Sequence, residues 1–161
     1  MFMNKKEARI LVMDDDKSLA DDLVDYLTKS GYRASAAYGG HEGLSMFEQG
    51  AFQLVITEFK MPDIDGMDLL KAVKAMDGRV IVMFITGHGT IESAVPAMKK
   101  GAYDYIPKPF KMEELEVIVN RALERHTFFS RLGVLRGLTL ALIISVPFWL
   151  ILAIILALVW K

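Results

Sequence analysis

The chain contains no cysteine, which excludes a disulfide framework, a thiolate metal site and a cysteine nucleophile. It also lacks acidic residues after Glu124, whereas residues 1–124 hold twenty acids beside fifteen basic residues, a net −5. From Arg125 onward the only charges are Arg125, Arg131, Arg136 and Lys161, a net +4. The overall charge of −1 therefore averages two regions that belong in different surroundings. No basic face interleaved with aromatics occurs in residues 1–124, and their negative balance argues against nucleic-acid binding. Repeats and low-complexity stretches are also missing. The N-terminus does not read as a signal peptide, because Lys5, Lys6, Glu7 and Arg9 are followed by only Ile10–Met13 before three acids. Apolar residues are abundant, at 53% of 161 residues, which excludes a disordered chain and allows one ordinary domain plus an appendage.

The appendage is the second thing that charge leaves out. Residues 138–160, LTLALIISVPFWLILAIILALVW, run for 23 residues without a charge. As a helix, at about 1.5 Å per residue, the run reaches roughly 34 Å, enough to cross a hydrocarbon core of roughly 30 Å. Pro147 sits mid-span, which membrane helices tolerate. Arg125, Arg131 and Arg136 lie on the near side, so the positive-inside bias puts residues 1–137 in the cytoplasm. Two other readings are a hydrophobic helix docked in a soluble core or oligomer, and a kinked hairpin dipping into one leaflet at Pro147. Gly133 and Gly137 have the GxxxG dimerisation spacing, with Arg136 between them.

Residues 8–126 alternate short apolar runs with amphipathic stretches. The runs are Ile10–Met13, Arg33–Ala37, Leu54–Thr57, Val80–Ile85 and Tyr103–Ile106. Helical patterns cover Ser18–Ser30, with Gly31 as its stop, then His41–Gln49, Met67–Met76, Ile91–Lys100 and Met112–Arg125. Five strands alternating with five helices imply an open parallel sheet covered on both faces. In such sheets ligands bind beyond the carboxyl ends of the strands. Those ends here carry Asp14-Asp15-Asp16, Thr57-Glu58, Thr86-Gly87 and Pro107-Lys108-Pro109. Clustered acids repel one another unless a cation or a lysine neutralises them, and an oxygen-only donor set suits Mg²⁺. A nucleotide or flavin fold would need a Gly- or Ser/Thr-rich phosphate loop after the first strand, where this chain has DDDKS.

These residues resemble the receiver domain of two-component response regulators over about residues 8–126. The resemblance rests on ILVMDDD, MPDIDG (Met61–Gly66), FITGHGT (Phe84–Thr90) and GAYDYIPKPF (Gly101–Phe110), in order and at matching spacings. It implies a flavodoxin-like (βα)5 α/β fold, doubly wound, with strand order 2-1-3-4-5. It implies a Mg²⁺ site at Asp14 and Asp15, completed by the acceptor position, with Asp16 outside it. Thr86 and Lys108 would contact the phosphoryl group, Tyr105 would be the switch residue, and a cis peptide would precede Pro109. A histidine kinase or phosphotransfer protein would be the partner, with a homodimer a further state.

The departure lies at the centre. The family places an Asp three residues before the Met-Pro pair, and this chain has Glu58 there. One extra methylene moves the carboxylate by roughly 1.5 Å, and displacements of that size cost about 10²-fold in rate. It also drives the carboxylate toward Thr86 and Lys108, partly mimicking a phosphoryl group with less charge and fewer oxygens. Glu58 is thus read as a lock on one state, as the mark of an inert pseudo-receiver, or as a residual acceptor beside Asp63. Pro96, inside the fourth helix, removes a backbone donor and crowds the carbonyl of Glu92, so that helix should kink or begin late and alter the switch face. Asp63 and Asp65 read as turn formers around Gly66. His88 reads as a loop residue, and His41 and His126 have no partner that suggests a metal.

The chain therefore reads as a non-enzymatic regulator: receiver domain 8–126, basic juxtamembrane linker or helix extension 127–137, transmembrane helix 138–160. It would be a single-pass protein of the bacterial inner membrane with no room for a separate output domain. The alternative is a non-switching membrane docking module built on the receiver fold.

Overall fold

A computed structural model describes residues 5–47, 52–87 and 90–126. Five strands, β1 (Arg9–Met13), β2 (Arg33–Ala37), β3 (Leu54–Thr57), β4 (Ile81–Thr86) and β5 (Asp104–Pro107), form one parallel sheet in the order β2-β1-β3-β4-β5. Four helices connect them: α1 (Lys17–Lys29), α2 (Gly40–Met46), α3 (Gly66–Met76) and α4 (Ile91–Lys99). A fifth, α5, covers residues 112–126.

The two-residue period of the strands sorts their side chains onto two cores. On one face Ile10 and Val12 meet Leu23 and Leu27 of α1 and Leu115 and Val119 of α5. On the other, Leu11 and Met13 share a core with Leu69, Leu70 and Val73 of α3 and Ala97 of α4. β3 and β4, central and covered on both sides, are buried at every position. That is why they read as unbroken apolar runs rather than as alternation. β2 lies at the sheet edge and is only partly buried, and its RASAA sequence is correspondingly poor in large apolar residues. Truncating a fully buried leucine such as Leu11 or Leu69 to alanine costs roughly 2–5 kcal/mol.

Element ends follow local chemistry. Asp16 caps α1 by accepting from Ser18 N (3.1 Å) and Leu19 N (3.2 Å), and Gly31, at φ 97°, turns the chain after the helix. α2 stops at Met46, shorter than the sequence pattern, because Phe47 is extended and stacks on Phe52 at 6.2 Å. The predicted end of that helix at Gln49 lies outside the described residues. Pro96 neither ends α4 nor delays it. The helix runs from Ile91 through Pro96, opened by a reciprocal Thr90–Ser93 capping box.

Residues 127–137 and 138–160, the predicted linker and membrane helix, and Gly133 and Gly137 with them, lie outside the described residues. Among the described residues no helix is long and apolar enough to cross a membrane.

Candidate functional site

The sheet's own hydrogen bonds place the site. The ladder continues one residue past each strand: Asp14 N donates to Ala37 O (3.1 Å), Glu58 N to Met13 O (2.9 Å) and Lys108 N to Thr86 O (2.8 Å). Asp14, Glu58, Thr86 and Lys108 are thereby held by backbone at one edge, although they are far apart in sequence. Lys108 precedes Pro109 through a cis peptide, as the resemblance implied.

Their side chains converge on one ammonium. Lys108 Nζ lies 2.8 Å from Asp14 Oδ2 and 3.0 Å from Glu58 Oε2. Both acids are buried, Asp14 at 3% and Glu58 at 5% exposure. The remaining oxygens are also engaged. Asp14 Oδ1 accepts from Asp16 N at 2.9 Å, and Glu58 Oε1 from Phe59 N (2.6 Å) and Lys60 N (3.3 Å). Gly87 N approaches Glu58 Oε2 at 3.4 Å, and the Thr86 side chain hydrogen-bonds to Glu58. The Glu58 carboxylate thus reaches Thr86 and Lys108, the contacts read from the sequence, and Gly87 besides.

Two buried carboxylates sharing one lysine titrate in opposite senses. Burial would raise Glu58, but the hydrogen bonds from Thr86 and Lys108 outweigh it and hold the group below the usual glutamate range. For Asp14, burial outweighs its bonds to Lys108 and Asp16 N and pushes the carboxyl up. Burial alone would lower Lys108, but its bonds to Asp14 and Glu58 raise it instead. Lys108 is thus a fixed cation and Glu58 a fixed anion.

Of the expected metal set of Asp14, Asp15 and Glu58, the structure brings Asp14 and Glu58 together through Lys108. Asp15 is exposed at the rim, and among the described residues no three acidic or imidazole side chains converge on a metal-sized space. The donor atoms are of the kind Mg²⁺ prefers, but their arrangement serves an ammonium: Asp14 Oδ2 is bound to Lys108, and Glu58 faces Gly87 and Thr86. A divalent cation here would have to take Asp14 Oδ2 from Lys108.

The other candidates separate clearly. Asp16 caps α1. Asp65 caps α3 through Met67 N. Asp63 reaches further than a turn former would: its carboxylate accepts from Gly40 N (3.2 Å) and His41 N (2.8 Å) at the start of α2. Those bonds, His41's first, hold its carboxyl below the usual aspartate range. Gly66 lets this loop close, since a Cβ there would stand 2.5 Å from Phe59 O. His126 is half-buried near Lys74, Asp77 and Arg79, with no metal partner among the described residues. His88 lies outside the described residues.

Three residues of the site were not read from the sequence. Phe59, next to Glu58, packs edge-on against Phe84 (5.2 Å) and Tyr105 (5.5 Å), and the Tyr105 hydroxyl is 2.8 Å from Ser93 Oγ in the α4 cap. Phe59, Phe84 and Ser93 therefore join the acceptor position to Tyr105 and α4. An apolar residue directly after the acceptor was the available signal for Phe59. Nothing local marks Ser93.

The five-stranded 2-1-3-4-5 parallel sheet, with acids, a hydroxyl and a lysine at its carboxyl edge, defines a flavodoxin-like α/β protein with a polar site beyond its strand ends. The family model for the response regulator receiver domain matches residues 10–120, and the chain belongs to that family. It is 36% identical over 114 residues to the transcriptional regulatory protein ZraR of Salmonella typhimurium, covering 71% of this chain and 26% of that protein. A response regulator receiver domain protein from Clostridium thermocellum superposes with a TM-score of 0.72 at 34% identity, over 76% of this chain and 98% of that one. The beryllofluoride-activated NtrC4 receiver domain dimer superposes with a TM-score of 0.69 at 33% identity, over 73% and 98%. The chain spans about a quarter to a half of the length of the curated relatives it matches.

Proposed function

We propose that this protein is a membrane-tethered receiver in phosphorelay signalling, held in one state by Glu58 and acting by protein contact rather than by chemistry of its own. The observation that carries this reading is the Glu58 carboxylate itself. It already engages Lys108, Gly87 and Thr86, the donors at the position where a phosphoryl group would be bound. An acceptor must instead present a free carboxylate oxygen for in-line attack on a phosphohistidine. Receiver domains typically bind Mg²⁺ at this edge, but here a divalent cation has to compete with Lys108 for Asp14. The Phe59–Phe84–Tyr105 contact favours a retained switch over a passive docking module, because it couples the acceptor position to α4.

The tether is supported by the charge-free run 138–160 and the arginines before it, which orient the receiver domain to the cytoplasmic side of a bacterial inner membrane. The partner is a histidine kinase, a phosphotransfer protein or another signalling protein. Acetyl phosphate with Mg²⁺ tests the lock: the chain stays unmodified by mass, whereas Glu58→Asp takes up one phosphoryl group. Stoichiometric labelling of Glu58 within minutes overturns the reading. A pull-down from membranes separates the docking module, which captures the same partners with Glu58, Glu58→Asp and Glu58→Ala.

A further inference from the structure

Every strand of the sheet runs the same way, and every helix returns the chain to the edge where strands begin. The charges divide along that axis. At the edge where strands begin lie Lys5, Lys6 and Arg9 before and in β1, and Lys29 and Arg33 around the α1–β2 turn. Lys74 and Arg79 flank the α3–β4 turn, Lys99 ends α4 and Lys100 follows it, and Arg121 and Arg125 fall in the last turns of α5. Ten of these eleven cations are exposed, and Lys74 is half-buried. Six acids share the edge if Asp25 and Glu116, which pair with Lys29 and Lys5, are counted with it, leaving a net +5. The rest of the described domain, including the Glu58 site, holds thirteen acids against five cations, a net −8.

We propose that the edge where strands begin is a docking face for anionic phospholipid headgroups, which turns the Glu58 edge toward the cytoplasm. The inference rests on the tether reading. Its second support is continuity: α5 delivers the chain to this edge, and the next residues add Arg131 and Arg136 without an acid before the apolar run begins at Leu138. Distance decides between attraction and repulsion. A five-residue strand is about 17 Å long, roughly twice the Debye length of about 8 Å at physiological salt. A bilayer at the basic edge therefore feels the +5 while the −8 beyond it is screened.

Because the chain has no cysteine, single labels report the geometry cleanly. The full chain is reconstituted in phosphatidylcholine vesicles, with or without phosphatidylglycerol, carrying a fluorophore at Thr28→Cys on the basic edge or at Lys111→Cys on the acidic edge. Nitroxide-headgroup lipid is the quencher. The Thr28→Cys label is quenched several-fold more in anionic vesicles than in neutral ones. High salt, or Arg33→Glu with Lys99→Glu and Lys100→Glu, removes the difference, and the Lys111→Cys label stays unquenched throughout. Equal quenching at both labels, or quenching indifferent to headgroup charge, overturns the proposal, as does a basic-edge label that responds to duplex DNA but not to anionic vesicles. An unchanged melting temperature shows that the triple variant is folded. Flotation with neutral vesicles in high salt tests the tether separately: its loss defeats the tether, while the lipid-charge dependence of the Thr28→Cys label still decides the docking face.

Discussion

The two edges of the sheet both carry charge but use it differently. At the carboxyl edge Asp14 and Glu58 are buried around Lys108, every carboxylate oxygen has a donor, and the group pins four separate strand ends together. At the opposite edge ten of eleven cations reach into solvent. Buried charges act through short, weakly screened contacts and so belong to the fold, whereas exposed ones act through a field that salt weakens. The comparison teaches where substitutions should be felt: as stability and state at one edge, as binding at the other.

Removing the shared cation is the strongest way to break that contrast. Lys108→Met leaves two buried carboxylates facing each other and is expected to lower stability by about 3 kcal/mol, read by urea denaturation. The pH dependence of the same cluster has a defined sign. Glu58, held below its ordinary range, contributes stability that is fully present above the ordinary glutamate range and lost as pH falls below it. Lys108, raised, contributes stability that is present below the ordinary lysine range and lost as pH climbs above it. The stability gap between the protein and Glu58→Gln should therefore narrow on acidification, and a gap that widens would contradict the assignment.

Glu58→Asp should raise phosphoryl uptake from acetyl phosphate by at least about 10²-fold, measured by intact mass over time. A smaller effect follows at the loop behind the site. Asp63→Ala removes the cap that this loop places on α2 and is expected to cost about 1 kcal/mol in thermal or urea unfolding. At the basic edge, Arg33→Glu with Lys99→Glu and Lys100→Glu should change stability by no more than about 0.5 kcal/mol per site. A loss comparable to that of Lys108→Met would show that the two edges do not differ as described.

Much of the site was legible because parallel βα topology converts sequence order into position. Once the apolar runs were read as strands, the residues closing them had to meet at one edge, and Asp14, Glu58, Thr86 and Lys108 do. What was not legible depended on distances that no local pattern encodes. Asp63 looked like a turn residue, yet it caps a helix 22 positions earlier. Asp14 and Glu58 were read as acids of one site, and no spacing along the chain shows that Lys108 lies between them. α2 ended early because Phe47 found Phe52.

By itself the sequence determined the five-fold alternation of strand and helix, the family, the misfit glutamate at its acceptor position and the charge-free run at 138–160. These follow from periodicity, spacing and composition, which are properties of neighbours along the chain. Only the tertiary structure decided that one lysine serves two buried acids, that Phe59 links Glu58 to Tyr105, and that the charges separate into opposite edges. Each of those depends on which strand ends lie within a few ångströms of one another, and only the folded sheet brings them there.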